Sequence, residues 1–279
     1  MVEPLGLALN KIGFVLMKKF AVIMPMFIIF VGLNGLYLRY LELANVFDDM
    51  GLNQLGAPVS IVLLVLTAVV IAVLFAFSLY ARNSHKASDD FTNAFGTASV
   101  VYPISLSLAA IVWVGATIMH FISTNPHTIQ LNADLVFTIL SILAAVSVMI
   151  FSVEVYKDPR RKIVKSWIIA PILFSTFWLG LMYRENVANP ILLSYAYYAL
   201  ALIFSVLSFY YLSGFIFHKP SVSKLIFVSF SSIYFCFVTL ADPHTIWIRL
   251  ILIAIIVYNL VHISMLINYL MRKVDKLKE

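Results

Sequence analysis

Eight stretches of this chain, at about residues 20–38, 59–80, 98–120, 133–154, 166–183, 190–213, 224–241 and 247–270, are almost wholly apolar. A membrane-crossing helix needs roughly 20 such residues, because lipid offers no partner to an exposed backbone N–H or C=O. Short connections use up the remaining length, which leaves no room for a soluble domain. Composition agrees: 62% of residues are hydrophobic and 11% charged, where soluble domains run near about half and about a quarter. The expected fold is an all-α integral membrane protein with eight transmembrane helices.

Charge sets the expected orientation. With the N-terminus inside and eight crossings, 16 of the 19 Lys and Arg residues fall on the inner side; only Arg39, Arg184 and Arg249 fall outside. That is the asymmetry of the positive-inside rule, and seven or nine crossings would spoil it. Both termini are therefore expected to be cytoplasmic, in a multi-pass protein of a prokaryotic plasma (inner) membrane. The net charge of +6 is spent on topology, and no nucleic-acid partner is expected. The central run Arg160, Arg161, Lys162 suits anchoring and contact with anionic lipid head groups.

Several short motifs occur twice, in the same order. Asn125-Pro126-His127-Thr128-Ile129 returns as Asp242-Pro243-His244-Thr245-Ile246, and His85-Lys86-Ala87-Ser88 as His218-Lys219-Pro220-Ser221. Lys19, Pro25, Gly35-Leu36, Arg39 and Pro58 match Lys165, Pro171, Gly180-Leu181, Arg184 and Pro190. The expected architecture is a tandem duplication of two four-helix units, residues 1–150 and 151–279. Four spans per unit is an even number, so both units insert in the same direction, as a parallel repeat about an axis along the membrane normal. Pro25 and Pro171 are expected to kink matching spans.

Leu5, Leu9, Ile12 and Leu16 recur at helical spacing. They suggest a short interfacial helix over about 4–17, or else a longer start to span one. Residues 20–33 are apolar but no small-x-small cleavage site follows, so span one is expected to persist. The single cysteine, Cys236, allows no intrachain disulfide and reads as a packing residue.

The motifs with chemical content lie on the outer side. Asn or Asp followed by Pro is a strong helix start, so Asn125 and Asp242 are expected to be N-caps of spans four and eight. Cap chemistry does not demand histidine, yet His127 and His244 both follow. Two ligands are too few for a metal site, and no cofactor is expected. Arg39 and Arg184, at matching span ends, have a plain explanation: a cation at a helix C-terminus, with a carboxylate nearby (Glu42 for Arg39), whose stem snorkels to the interface. The sharper reading joins Arg39, Arg184, His127, His244 and Arg249 in an outward-facing anion site, since guanidinium grips carboxylate or phosphate in a fork. Asp48, Asp49, Asp134 and Asp242 stand against it as neutralising charges.

No Asp, Glu, Lys or Arg falls near mid-membrane, which disfavours a proton relay there. Ser229, Ser231, Ser232, Tyr234, Thr239, Asn259, Asn268 and His262 form a milder polar set suited to bridging helices. Zinc-protease, nucleophile-elbow and phosphate-loop motifs are missing. Two functions fit: a transporter or permease-like module for a small anionic solute, or a non-transporting subunit that docks a protein partner through its cytoplasmic loops and basic linker. A lipid-modifying enzyme is a third reading, without a nameable catalytic group.

Overall fold

The structure, a computed structural model, describes residues 3–46, 57–84, 94–96, 99–123, 131–157, 165–187 and 192–276. Among them are eight long α-helices: α1 Glu3–Asn45, α2 Pro58–Ser84, α3 Val101–Ser123, α4 Leu131–Lys157, α5 Ile169–Asn186, α6 Leu192–Ile216, α7 Val222–Thr239 and α8 Ile246–Lys276. Seven are long and apolar enough to cross a membrane. The exception is α5, an 18-residue helix whose last turn, Arg184-Glu185-Asn186, dilutes its apolar run. The chain is a polytopic α-helical membrane protein in contact with the lipid bilayer.

Six helices close a ring: α3 packs on α4, α4 on α5, α5 on α6, α6 on α7, α7 on α8, and α8 back on α3. Aromatic rings pack inside it. Trp113 of α3 meets Phe174 of α5 at 5.3 Å between centroids, Phe137 of α4 meets Trp247 of α8 at 5.6 Å, and Trp178 of α5 meets Tyr198 of α6 at 6.1 Å. Outside the ring, α1 and α2 lie against α7 and against each other. The grouping in space thus cuts across residues 1–150 and 151–279. Helix α7 touches α1, α2, α6 and α8, whereas α3, which the repeat would equate with it, packs chiefly on α4 and α8.

Helix association in lipid draws on close packing and hydrogen bonds, since tails are as apolar as leucine. Both are present. A Cβ added at Gly32 would stand 2.6 Å from a ring carbon of Phe237, and one at Gly35 would stand 2.8 Å from Val238. Only glycine lets α1 approach α7 this closely, and Gly35 lies one turn before Arg39 on the same face. Deeper in the bundle, Ser208 of α6 donates to Asn259 of α8, and Ser229 and Ser232 of α7 join the same network at 2.8 and 3.2 Å. Of the polar set of the sequence, Ser229, Ser232, Tyr234, Asn259 and Asn268 make interhelical hydrogen bonds, whereas His262 bonds within its own helix and Ser231 and Thr239 are buried without a hydrogen-bond partner among the described residues.

Of the two readings of residues 4–17, the unbroken helix from Glu3 fits the longer start to span one. One expectation is corrected. Pro171 is the third residue of α5, just after a 3₁₀ turn at Lys165–Ile168, so it starts a helix instead of kinking one. A proline in the first turn loses no hydrogen bond. Pro25, by contrast, is internal to α1.

Candidate functional site

The C-terminal end of α1 carries a charge that does not reach solvent. Arg39 is completely buried. Its Nη1 donates to Oε2 of Glu42, one turn on, at 2.7 Å, and its Nε donates to Oδ1 of Asp242 at 2.8 Å. Glu42 is buried too, and its other oxygen accepts a hydrogen bond from Ser60 of α2 at 2.6 Å. Below the guanidinium lies the ring of Tyr197 of α6, its centroid 5.2 Å from Cζ. The expectation that Arg39 snorkels to the interface is therefore corrected. Two carboxylates within one helical turn and one loop of reach satisfy it inside the protein, where charge-assisted bonds are strongest.

Asp242 does not cap a helix. Helix α8 begins only at Ile246, and the N–H groups of Ile248 and Arg249 turn back to the carbonyl of Thr245. The segment between is a tight turn, in which the Asp242 carbonyl accepts from the His244 N–H at 2.7 Å and from Arg249 Nη2 at 3.1 Å. A guanidinium is a stronger partner for a carboxylate than an orphan helix N–H, so the side chain goes to Arg39. Arg249 stands in the first turn of α8, where a cation opposes the helix dipole; Asp242 offsets it. His244 precedes the helix, with Nε2 3.8 Å from Asp242 Oδ2 and its ring 4.4 Å from that of Tyr198.

Burial governs the protonation of the turn. It pushes the Asp242 carboxyl up to about 6, against the opposing pull of Arg39 and Arg249, while Glu42 adds to the rise. Burial also lowers His244 to about 4, helped by Arg249 and Arg39. At neutral pH the histidine is uncharged and the cluster holds two guanidinium groups against two carboxylates. Its net charge is zero.

Of the five residues in the expected anion site, Arg39, His244 and Arg249 come together around Asp242. Arg184 is exposed at the end of α5, a helix whose main partners are α4 and α6. His127, its neighbours Asn125 and Pro126, and the linker residues Arg160, Arg161 and Lys162 lie outside the described residues. The plain reading of Arg39 already includes Glu42 as a nearby carboxylate, three residues on, although the expected anion site does not. Sequence reasoning left out Ser60, Tyr197 and Tyr198, which are brought in by packing alone.

A cleft of about 680 Å³ opens between α2 and α6 and reaches Thr67 and Tyr197, the ring beneath Arg39. Thr67 in turn shares a hydrogen bond with Tyr234 of α7 at 2.8 Å. A larger space of about 900 Å³ lies near the start of α7, lined by Ser78, Tyr211, Ser223 and Lys224 among others. No family model, curated protein or solved structure matches this chain.

Proposed function

We propose that this protein is a permease-like module that takes up a small anionic solute at its outer face, through Arg39, Arg249 and His244. The observation that carries the reading is Arg39. A buried guanidinium costs several kcal/mol of desolvation, and an ionisable group at membrane depth most often marks a solute path. An entering carboxylate can take the place of Glu42 or Asp242 on Arg39, or accept from the unused Nε of Arg249. The cleft that ends at Tyr197 gives the cluster a neighbouring space. Arg184 and His127 belong to this proposal as cations or donors at the outer rim, where they would raise the local concentration of anions.

The same proposal includes eight crossings, with both termini cytoplasmic and α5 extended by its preceding 3₁₀ turn. It takes the paired motifs as the trace of a duplication whose halves have since diverged in packing. It places the chain in a plasma membrane, with the basic linker on anionic lipid. The test is anion flux in proteoliposomes, comparing the unaltered protein with Arg39→Gln and Arg249→Gln, each checked for folding by its melting temperature. Flux that disappears in both folded variants supports the reading; equal flux in all three removes Arg39 and Arg249 from it.

A second reading has its own observation. The cluster is neutral and closed, and it ties α1 and α2 to the α7–α8 turn, which suits a staple in a non-transporting subunit. Absence of flux, together with a polypeptide that co-purifies and is released by charge reversal at Arg160, Arg161 and Lys162, would favour it.

A further inference from the structure

Three buried polar atoms around the α7–α8 turn have no hydrogen-bond partner among the described residues: Asp242 Oδ2, His244 Nε2 and Arg249 Nε. They belong to one cluster. Asp242 is bonded through Oδ1 to Arg39, and its side chain is only 3% exposed, yet its second oxygen is unused. The 3.8 Å between that oxygen and His244 Nε2 is too long for a direct hydrogen bond. An unmet buried donor or acceptor forfeits the hydrogen bonds it made to water, so three around one turn call for an occupant. The turn gives access from outside, because Pro243 and Thr245 beside it are exposed.

The charges decide what the occupant is. The groups facing Asp242 are Arg39 and Glu42 of α1, Tyr197 and Tyr198 of α6, and His244 and Arg249 of the turn and α8. Two guanidinium groups against two carboxylates leave nothing over for an anion. A net charge added to a buried, balanced cluster is strongly disfavoured. A monocarboxylate that arrives with one proton adds none.

We infer that Asp242, His244 and Arg249 form a binding site for a small monocarboxylate taken up together with one proton. The inference rests on the anion-site reading above and specifies its ligand and its coupling. The proton comes from the outer solution to Asp242 Oδ2, which then donates to one oxygen of the ligand. The other ligand oxygen accepts from Arg249 Nε–H and from His244 when that neutral ring carries its proton on Nε2. Each of the three unmet atoms then has a partner on the ligand. Burial has already raised the Asp242 carboxyl toward the range where it takes a proton, whereas His244 stays neutral until well below it.

The experiment is calorimetric titration of sodium acetate into the purified full chain in detergent, at several pH values and in buffers of differing ionisation enthalpy. Near pH 7.5 one proton should be taken up per acetate bound. Affinity should tighten about tenfold per pH unit down to about 6 and then level off. Asp242→Asn supplies an N–H donor where the protonated carboxyl would be. It should bind acetate at pH 7.5 as tightly as the unaltered protein does at pH 5.5, with no proton uptake. Arg249→Lys, which keeps the charge but loses Nε, should weaken binding at least tenfold, and melting temperatures confirm that both variants are folded. Acetate bound with no proton uptake, or with an unchanged pH profile in Asp242→Asn, overturns the coupling and leaves the anion site standing. A folded protein that binds no acetate between pH 5.5 and 7.5 has a turn filled by water only, and the coupling and the anion site then fall together.

Discussion

Arg39 and Asp242, 203 positions apart in the chain, meet Nε to Oδ1 at 2.8 Å with both side chains out of solvent. This bond joins the C-terminal end of α1, which lies outside the six-helix ring, to the turn between the ring's two most buried helices. A buried pair of this kind is not itself a large source of stability, because desolvation offsets most of the attraction. Breaking it from one side is another matter.

Arg39→Gln should therefore destabilise the protein by about 3 kcal/mol or more, since Glu42 and Asp242 lose the one guanidinium hydrogen-bonded to both. Removing all three charges, as Arg39→Met with Glu42→Gln and Asp242→Asn, should recover much of that loss. The comparison is made by thermal or denaturant unfolding in detergent. Single and triple variants of equal stability would show that the cluster is solvated and not a closed ion pair.

Gly35→Ala should weaken the seating of α1 on α7 by about 1–3 kcal/mol, because its Cβ would press on Val238 and Tyr234. Gly180, its counterpart in the paired motifs, has open space where a Cβ would go. Gly180→Ala should be neutral or slightly stabilising through helix propensity. Melting temperatures of the two variants check the contrast. Equal effects would mean that α1 and α7 are not in close approach.

Two groups of the turn should show opposite pH dependence. The folded value of Asp242, about 6, lies above its ordinary 3.8. Its contribution to stability is full below the ordinary value and is lost as pH rises through about 6. His244 is lowered from 6.5 to about 4, so its contribution is full above 6.5 and lost as pH falls toward 4. Between pH 7 and 4.5 the unaltered protein should gain stability relative to Asp242→Asn and lose it relative to His244→Gln. Each arm is on the order of 2–3 kcal/mol when fully developed. Melting temperatures of all three proteins across that range read both signs.

Orientation can be read with an impermeant thiol reagent. The one native thiol, Cys236, is buried, so single cysteines report cleanly. Arg184→Cys should label from the outside of intact cells and Lys219→Cys only after permeabilisation. Labelling of both from one side would remove α6, the one helix between them, from the set of crossings.

Helix positions were legible because twenty apolar residues admit few other structures in lipid. The serine and asparagine set was legible as interhelical glue for the same reason: a hydroxyl buried there needs a partner. The outer site was only half legible. Arg39, His244 and Arg249 stood out as charged or titratable groups on an apolar background, but local rules assigned Asp242 to a helix cap and Arg39 to the interface. Both rules treat a residue with its chain neighbours alone. The deciding partner was two hundred residues away, and no spacing along the chain encodes that. Pro171 failed in a similar way, since the same residue kinks a helix from within and starts one from its first turn.

Helix α1 is continuous over 43 residues, about 65 Å at 1.5 Å per residue, roughly twice the thickness of the hydrocarbon layer. A rod of that length is held against α7 near its C-terminal end by Arg39 and the two glycines. No loop interrupts the backbone between Glu3 and the Arg39 guanidinium, and Pro25 is the one proline inside the helix where it can flex.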